Sequence, residues 1–363
     1  MDKIAGIWSR VQRSLFPELR ECLPALSAKH RDLVLVLETV RIEEHVRPGW
    51  MCRLGRTPKD RKALARAFVA KALYNEPTTV SFLDRLRTDE SLRRICGWER
   101  RSEIPSESTF SRAFEEFART SLADETHEAG VEEYLGNELV WHVSRDSTEV
   151  DAREKPVAKP AKEPEAKRRR GRPRKGEERP KPGPTRIERQ LSQSLAESIA
   201  ELPTACDVGT KIDSKGSKRH WVGYKLHTDV ADGGIPLSVL TTSASVHDSQ
   251  VAIPLARMTA QRVESCYDLM DAAYDAKLIR EHSESLGHVP IIPASARHGK
   301  VAPLEPDRDR RYNNRTAVER FNSALKDNYG GRMVRVRGKP KVHAHLMFGV
   351  LVIFGLALLG LAY

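Results

Sequence analysis

An α/β layer fold with a mixed sheet, preceded by an all-α N-terminal domain, is the architecture that this 363-residue sequence predicts. Three observations lead there. Up to about residue 137 the apolar residues recur at helical spacing, and at Glu138 the period changes to that of a strand. From Leu139 onward the runs read as three strands including a hairpin, then helix, strand, helix, strand and helix. A basic stretch at about 153–215 is inserted after the first of those strands. The expected division is therefore a helical domain over 1–137 and an α/β domain over 138–363 that carries the insertion.

In the helical region, Arg61–Leu73 has amphipathic spacing and is stopped by Asn75-Glu76-Pro77. A second helix is expected from about Val80 through Leu86. A third follows Pro105, where Ser106 or Ser108 can cap Thr109–Phe117. Short helices joined by Pro-containing turns suit a helix-turn-helix DNA reader and an ordinary bundle equally well.

The α/β region opens with Leu139–Ser144, an apolar and β-branched run that reads as a strand ending in Arg145-Asp146-Ser147-Thr148. Next comes Lys155–Lys181, with 12 Lys or Arg against 4 Glu and prolines throughout. That excess, 12 − 4 = 8, supplies most of the chain's net +11, and such a segment cannot bury a core. Within it, Arg170-Gly171-Arg172-Pro173-Arg174-Lys175 looks like an AT-hook. Its glycine permits close approach to a minor groove and its proline keeps the backbone extended. A generic basic linker binding phosphates is the plainer alternative. Trp221–Val230 and Ile235–Thr242 form the hairpin around Asp232-Gly233-Gly234, and Asp248 is expected to cap a helix through Arg257. Tyr267–Met270 is a short strand ending in Asp271; Ala276–Leu286 reads as helix, with Asp275 as its N-cap, and Val289–Pro293 as strand.

The last expected helix before the C-terminus runs from Tyr312 to Lys326. At about 100° per residue, Tyr312, Arg315, Glu319 and Lys326 fall within roughly 60° of one face, while Ala317, Val318, Phe321 and Leu325 face the core. Taken alone, Arg315 and Glu319 are a surface i,i+4 pair worth a few tenths of a kcal/mol. Residues 346–363 carry no charge; at ~1.5 Å each they span ~27 Å, just short of a ~30 Å bilayer core. We read them as a buried helix in preference to a membrane anchor.

Bulk properties narrow the function. A net charge of +11 points to a polyanion, nucleic acid before membrane, and aromatics at 6% disfavour stacking along single strands. The five cysteines form no CxxC, so neither a zinc framework nor a disulfide scaffold is indicated, and a reducing compartment fits. The N-terminus lacks the apolar run of a signal peptide. Asp146 and Asp271 each stand where an apolar strand gives way to a polar turn, the setting in which α/β folds gather functional groups. Singly, each is an ordinary turn residue. Brought together with Glu319, they would make an oxygen-rich site for Mg²⁺ or Mn²⁺.

These features resemble the DDE transposases of bacterial insertion sequences, in the group with a Tyr-x2-Arg-x3-Glu-x6-Lys signature. Tyr312, Arg315, Glu319 and Lys326 match it at all four positions. Asp146 in Ser-Arg-Asp-Ser-Thr-Glu-Val and Asp271 in Leu-Met-Asp-Ala-Ala-Tyr-Asp look like the first and second acids, with Ala273 where the family usually has Gly. Gly223–His227, Thr242–Ser249 and Pro105–Arg112 also resemble family blocks. The resemblance implies an RNase H-like mixed sheet flanked by helices, with two Mg²⁺ or Mn²⁺ ions on Asp146, Asp271 and Glu319. It also implies cutting at the element's ends and attack of the freed 3′-OH on target DNA. Tyr312, Arg315 and Lys326 would then hold DNA phosphates. Double-stranded DNA, a homodimer in the active complex, a cytoplasmic bacterial setting and no stable membrane association follow as expectations. A DNA-binding relict and a nuclease without strand transfer are the alternatives. His227 and His247 read as hydrogen-bonded strand or turn residues, since imidazole suits zinc better.

Overall fold

The computed structural model describes residues 26–47, 59–158, 183–212, 216–295 and 303–361. The AT-hook-like residues Arg170, Gly171, Arg172, Pro173 and Arg174 lie outside them. In chain order the elements are α1 (Ala28–Val40), α2 (Arg61–Leu73), α3 (Thr79–Thr88), α4 (Glu90–Cys96), α5 (Glu107–Arg119), α6 (Leu122–Leu135), β1 (Leu139–Asp151), α7 (Arg186–Ser192) and α8 (Leu195–Ala200). They continue with β2 (Asp207–Ile212), β3 (Lys218–Ala231), β4 (Pro236–Ser243), α9 (Ala252–Ala260), β5 (Glu264–Met270), α10 (Lys277–Ser285) and β6 (Val289–Ile291). The last three are α11 (Pro306–Tyr312), α12 (Thr316–Asn328) and α13 (Lys339–Leu358).

Local chemistry starts most of the N-terminal helices. Side-chain oxygens of Ser27, Asp60, Thr78 and Asp89 each accept a hydrogen bond from a backbone amide in the first turn of α1, α2, α3 and α4. At α5 the expected cap is not made: Ser106 stands at the N-cap, but its hydroxyl bonds those of Ser108 and Thr109.

These helices share one centre, α13, which packs against α1, α2, α5 and α6 and also against β4 and α12. A single apolar cluster runs from Phe68, Phe110 and Phe114 through Phe348 and Phe354 to Val143 and Leu226 of the sheet. Phe348 lies 5.3 Å from Phe68, ring to ring. The glycines of α13 admit close neighbours: a Cβ on Gly349 would come within 2.5 Å of the Tyr329 carbonyl oxygen, and one on Gly355 within 3.3 Å of Val36. By length and composition α13 could cross a membrane, yet its apolar positions are buried in protein.

The sheet is mixed, in the order β2-β3-β1-β5-β6 with β4 on β3. β1 runs antiparallel to β3 and parallel to β5, and β5 parallel to β6. Helices α12 and α13 cover one face; α9 and α10 lie on the other side, with α7 and α8 against α9. β3 pairs with β2 through Lys218–Gly223 and with β4 through Tyr224–Val230. Between these halves Gly223 has φ 155°, and a Cβ there would sit 2.1 Å from the Val150 carbonyl oxygen. Only glycine lets β3 turn against β1 at that point.

Besides the α5 cap and the strand β2 within the insertion, the structure differs from the sequence expectation at several points. β1 does not end at Ser144 but continues to Asp151, because β3 pairs with it as far as Gly223. Order returns within the basic insertion at α7, where Thr185 with Glu188, and then Ser194 with Glu197 at α8, form capping boxes. The helix expected from Asp248 is a 3₁₀ turn over Asp248–Gln250 followed by α9, and His247 holds the cap position. Asp275 does not cap α10; its carboxylate takes Arg280 and the Ser295 amide. The helix from Tyr312 to Lys326 is α11 and α12 joined by a 3₁₀ turn at Asn313–Arg315.

Candidate active site

The site forms where the parallel pair β1–β5 ends. Arg145 is the last β1 residue in register with β5, opposite Met270. Asp146 and Asp271 are therefore the next residues of two adjacent parallel strands, which lie about 4.8 Å apart in any sheet. Neighbouring positions in a parallel register point to the same face, so the two carboxylates share one crevice. Asp271 is fixed by the turn it starts: its Oδ1 accepts the Ala273 amide at 2.9 Å.

Over this pair lies the α11–α12 junction, tied to β1 by a bond from Ser144 Oγ to the Asn314 carbonyl. Arg315 projects from the junction and bridges the acids. Its Nη1 is 3.6 Å from Asp146 Oδ2 and its Nη2 is 3.1 Å from Glu319 Oε1. Its Nε donates to Tyr312 Oη at 3.2 Å. The i,i+4 pair read from the sequence is present, and its guanidinium also reaches the first aspartate. Nη1 is buried and has no hydrogen-bond partner among the described residues. Lys326, further along the same face of α12, does not join this group; its Nζ lies 3.4 Å from Glu149 Oε1.

Beneath the crevice is a further carboxylate, Asp248, whose Oδ1 accepts bonds from Ser147 Oγ at 2.8 Å and Lys225 Nζ at 2.9 Å. Lys225 also donates to the Val246 carbonyl at 2.9 Å. His227 is buried and bonds Thr242 Oγ1 through Nε2, while His247 bonds Ser249, as expected of strand and turn histidines. Burial pushes His227 down to about 4. Burial would raise the Asp248 carboxyl, yet His227 and Lys225 hold it below the usual carboxylate range. Tyr274 is buried among Asp248, Asp146 and Asp271, and its hydroxyl has no hydrogen-bond partner among the described residues. Below it, Arg145 makes two 2.7 Å bonds to Asp229, Nε to Oδ1 and Nη2 to Oδ2.

Electrostatically the site is short of positive charge. Burial drives the Asp146 carboxyl up to about 6; Arg315 pulls it back, and Asp271 and Asp248 push it further. The donor set consists of oxygens on adjacent strands around an under-compensated carboxylate, which suits a hard divalent cation. Among the described residues no three His, Cys, Asp or Glu side chains already converge on one point. Arg315 stands between Glu319 and Asp146 and is paired with both.

Glu149, Tyr274 and the Arg145–Asp229 pair carry no expectation from sequence, and Asp248 carries only that of a helix cap. Arg145, a charge next to an acid at the end of an apolar strand run, was the one available signal. The contacts of Asp248 with Ser147 and of Glu149 with Lys326 depend on β1 continuing past Asp146.

Two family models match. One, described as a transposase DDE domain, covers residues 142–354, more than half of the chain. The other, a transposase domain (DUF772), covers residues 18–116. No curated protein and no solved structure matches.

Proposed function

The chain belongs to the transposase DDE domain family of insertion sequences, and from that premise we propose that it cuts DNA at the ends of such an element and joins the freed 3′-OH ends to target DNA. One observation carries the reading: two aspartates stand in adjacent register at the end of a parallel strand pair, beneath the helix that bears Glu319. The mixed sheet with flanking helices has the RNase H-like form that such chemistry uses.

Asp146, Asp271 and Glu319 are the residues that would hold Mg²⁺ or Mn²⁺, two ions being expected. When bound, such ions supply charge neutralisation at the attacking and leaving oxygens of a phosphodiester displacement. The chain's own groups do the rest. Arg315 exchanges its carboxylate partners for a phosphate oxygen of the incoming strand, a contact its planar fork makes bidentately. Tyr312 keeps that guanidinium oriented through the Nε to Oη bond and packs beside it, 5.8 Å from guanidinium to ring centre. Lys326 offers a second phosphate a point charge. Ser147 and Lys225 hold Asp248, and through it the polar floor on which β1 presents Asp146.

In this reading the helical region and the basic segment with Arg170, Gly171, Arg172, Pro173 and Arg174 bind double-stranded DNA. Two copies hold the two element ends, in the bacterial cytoplasm.

The test is Mg²⁺- or Mn²⁺-dependent cleavage and joining of DNA bearing the element's ends, with wild type beside Glu319→Gln. The variant removes one charge with little change in shape. Cleavage is expected to fall by roughly 100-fold or more, on the scale of losing one preorganised electrostatic group, while DNA binding persists. Wild type that binds the ends and never cuts them with either metal refutes the enzyme and leaves a DNA-binding relict. Cutting without joining leaves a nuclease.

A further inference from the structure

Beyond Arg145, β1 has no β5 neighbour, and among the described residues no strand pairs with that edge from Asp146 to Asp151. Glu149 lies in that stretch, and cations from three different elements gather on it. Lys326 reaches it from the last turn of α12, at 3.4 Å. Arg219 reaches it from the distal half of β3, at 3.5 Å on the same Oε1 oxygen. Lys211 of β2 stands opposite Arg219 in the hairpin register and acts on both Glu149 and Lys326 through its charge. Arg332, paired with Asp327, adds to the same field.

Two properties of this cluster are unlike an ordinary structural ion pair. The positive side is in excess, three cations on one carboxylate. The two ion-pair distances, 3.4 Å to Lys326 and 3.5 Å to Arg219, also exceed the roughly 2.7–2.9 Å of a well-made charge-assisted hydrogen bond. Glu149 offers two oxygens in one plane, whereas a DNA phosphate offers several around a tetrahedron and can satisfy cations arriving from different directions. Burial would raise the Glu149 carboxyl, and Lys326, Lys211 and Arg219 together hold it below the usual carboxylate range, so it is fully ionised when the cluster is closed. The cluster begins three residues from Asp146, on the same strand, and lies at the end of the helix that carries Glu319.

We infer that Glu149 is a built-in stand-in for a DNA backbone phosphate: it occupies a cradle formed by Lys326, Arg219 and Lys211 in the DNA-free protein, and a phosphate flanking the cut site displaces it. This rests on the transposase reading, since it needs DNA to lie along the crevice. Glu149 then sets a threshold. A strand engages the cradle only by expelling a competing carboxylate, which weakens loose binding to any duplex relative to DNA held at the other contacts as well.

The experiment measures binding of a short DNA duplex of arbitrary sequence to full-length wild type, Glu149→Gln and Glu149→Asp across a salt series. Glu149→Gln should bind roughly three- to tenfold tighter at low salt, the scale of one exposed charge contact. Its affinity should also fall more steeply with salt, by up to about one phosphate contact. Glu149→Asp, which keeps the charge, should bind as wild type does. Lys326→Met should cost more affinity in the Gln background than in wild type, because in wild type part of that lysine's charge is already spent on Glu149. Wild type that binds while Glu149→Gln binds no tighter overturns this inference alone, as does an Asp variant as tight as the Gln variant. Failure of every variant and of wild type to bind DNA overturns the functional reading and this inference with it.

Discussion

The Arg145–Asp229 pair under the crevice allows a quantitative test of how the site is supported. Both side chains are almost wholly buried, at 2% and 0% exposure, and they share two bonds of 2.7 Å. Asp229 Oδ2 also accepts Thr259 Oγ1 at 2.7 Å, and Arg145 Nη1 contacts Met270 Sδ at 3.4 Å. Arg145→Met fills similar volume but leaves the Asp229 carboxylate buried with one hydroxyl for company. Breaking a buried pair in this way costs about 3–5 kcal/mol, because the remaining charge loses its compensation. Replacing both partners, with Arg145→Met and Asp229→Leu together, removes the uncompensated charge, and should recover most of that loss to within about 1–2 kcal/mol of wild type. Urea denaturation at pH 7, followed by tryptophan fluorescence, reads the difference: at a slope of about 3 kcal/mol/M the single variant's midpoint falls by more than 1 M. A single variant that loses less than about 1 kcal/mol, or a double variant as unstable as the single, refutes the claim that the pair is a desolvated strut. DNA cleavage should follow the same order, since Arg145 is bonded to Asp146 along β1.

Other consequences can be checked with equal directness. His127 is buried with Nε2 bonded to the Pro236 carbonyl at 2.9 Å, and burial, with help from Arg262, pushes it down to about 3. Its folded value lies below its unfolded one, near 6.5. The unfolded chain therefore takes up a proton first, and stability is lost as pH falls from about 6.5 towards 3, by about 2 kcal/mol at pH 5. His127→Gln should flatten that slope in urea midpoints between pH 7 and 5, and an unchanged slope would contradict the assignment. Gly223→Ala puts a Cβ 2.1 Å from the Val150 carbonyl oxygen at a positive φ. It should lower stability by more than about 1 kcal/mol and disturb the cradle around Glu149, seen as a lower thermal midpoint and weaker DNA binding. A melting curve matching wild type would show that β3 does not need its bend.

Much of this fold was readable before any coordinates. The period change at Glu138 marks the first strand within a residue, Asp232-Gly233-Gly234 makes the β3–β4 connection, and Tyr312, Arg315 and Glu319 share the face that meets β1. What stayed hidden depended on tertiary pairing. Nothing local says that β1 runs on past Asp146, since Ser147, Thr148 and Glu149 look like a turn until β3 pairs with them. With that extension come Ser147 to Asp248 and Glu149 to Lys326, neither of which follows from spacing. Asp248 has the profile of a helix cap, and its true partners lie on two strands far away in sequence. Lys326 sits on the correct face of its helix, yet about two turns past Glu319, too far along to meet the aspartates. Arg315 could be placed beside Glu319 by arithmetic, but its reach to Asp146 required knowing how α12 docks.

The position of α13 has a consequence for how the protein comes into being. The helix that fills the middle of α1, α2, α5 and α6 is encoded more than 200 residues after the last of them. As the chain leaves the ribosome, those early helices cannot close their apolar centre, and Phe68, Phe110 and Phe114 wait uncovered for Phe348 to arrive. Synthesis usually lets N-terminal units fold first; here the early helices need α13 to complete their apolar centre. A message truncated before α13 would not leave a free-standing helical module. It would leave a chain in which neither half is finished.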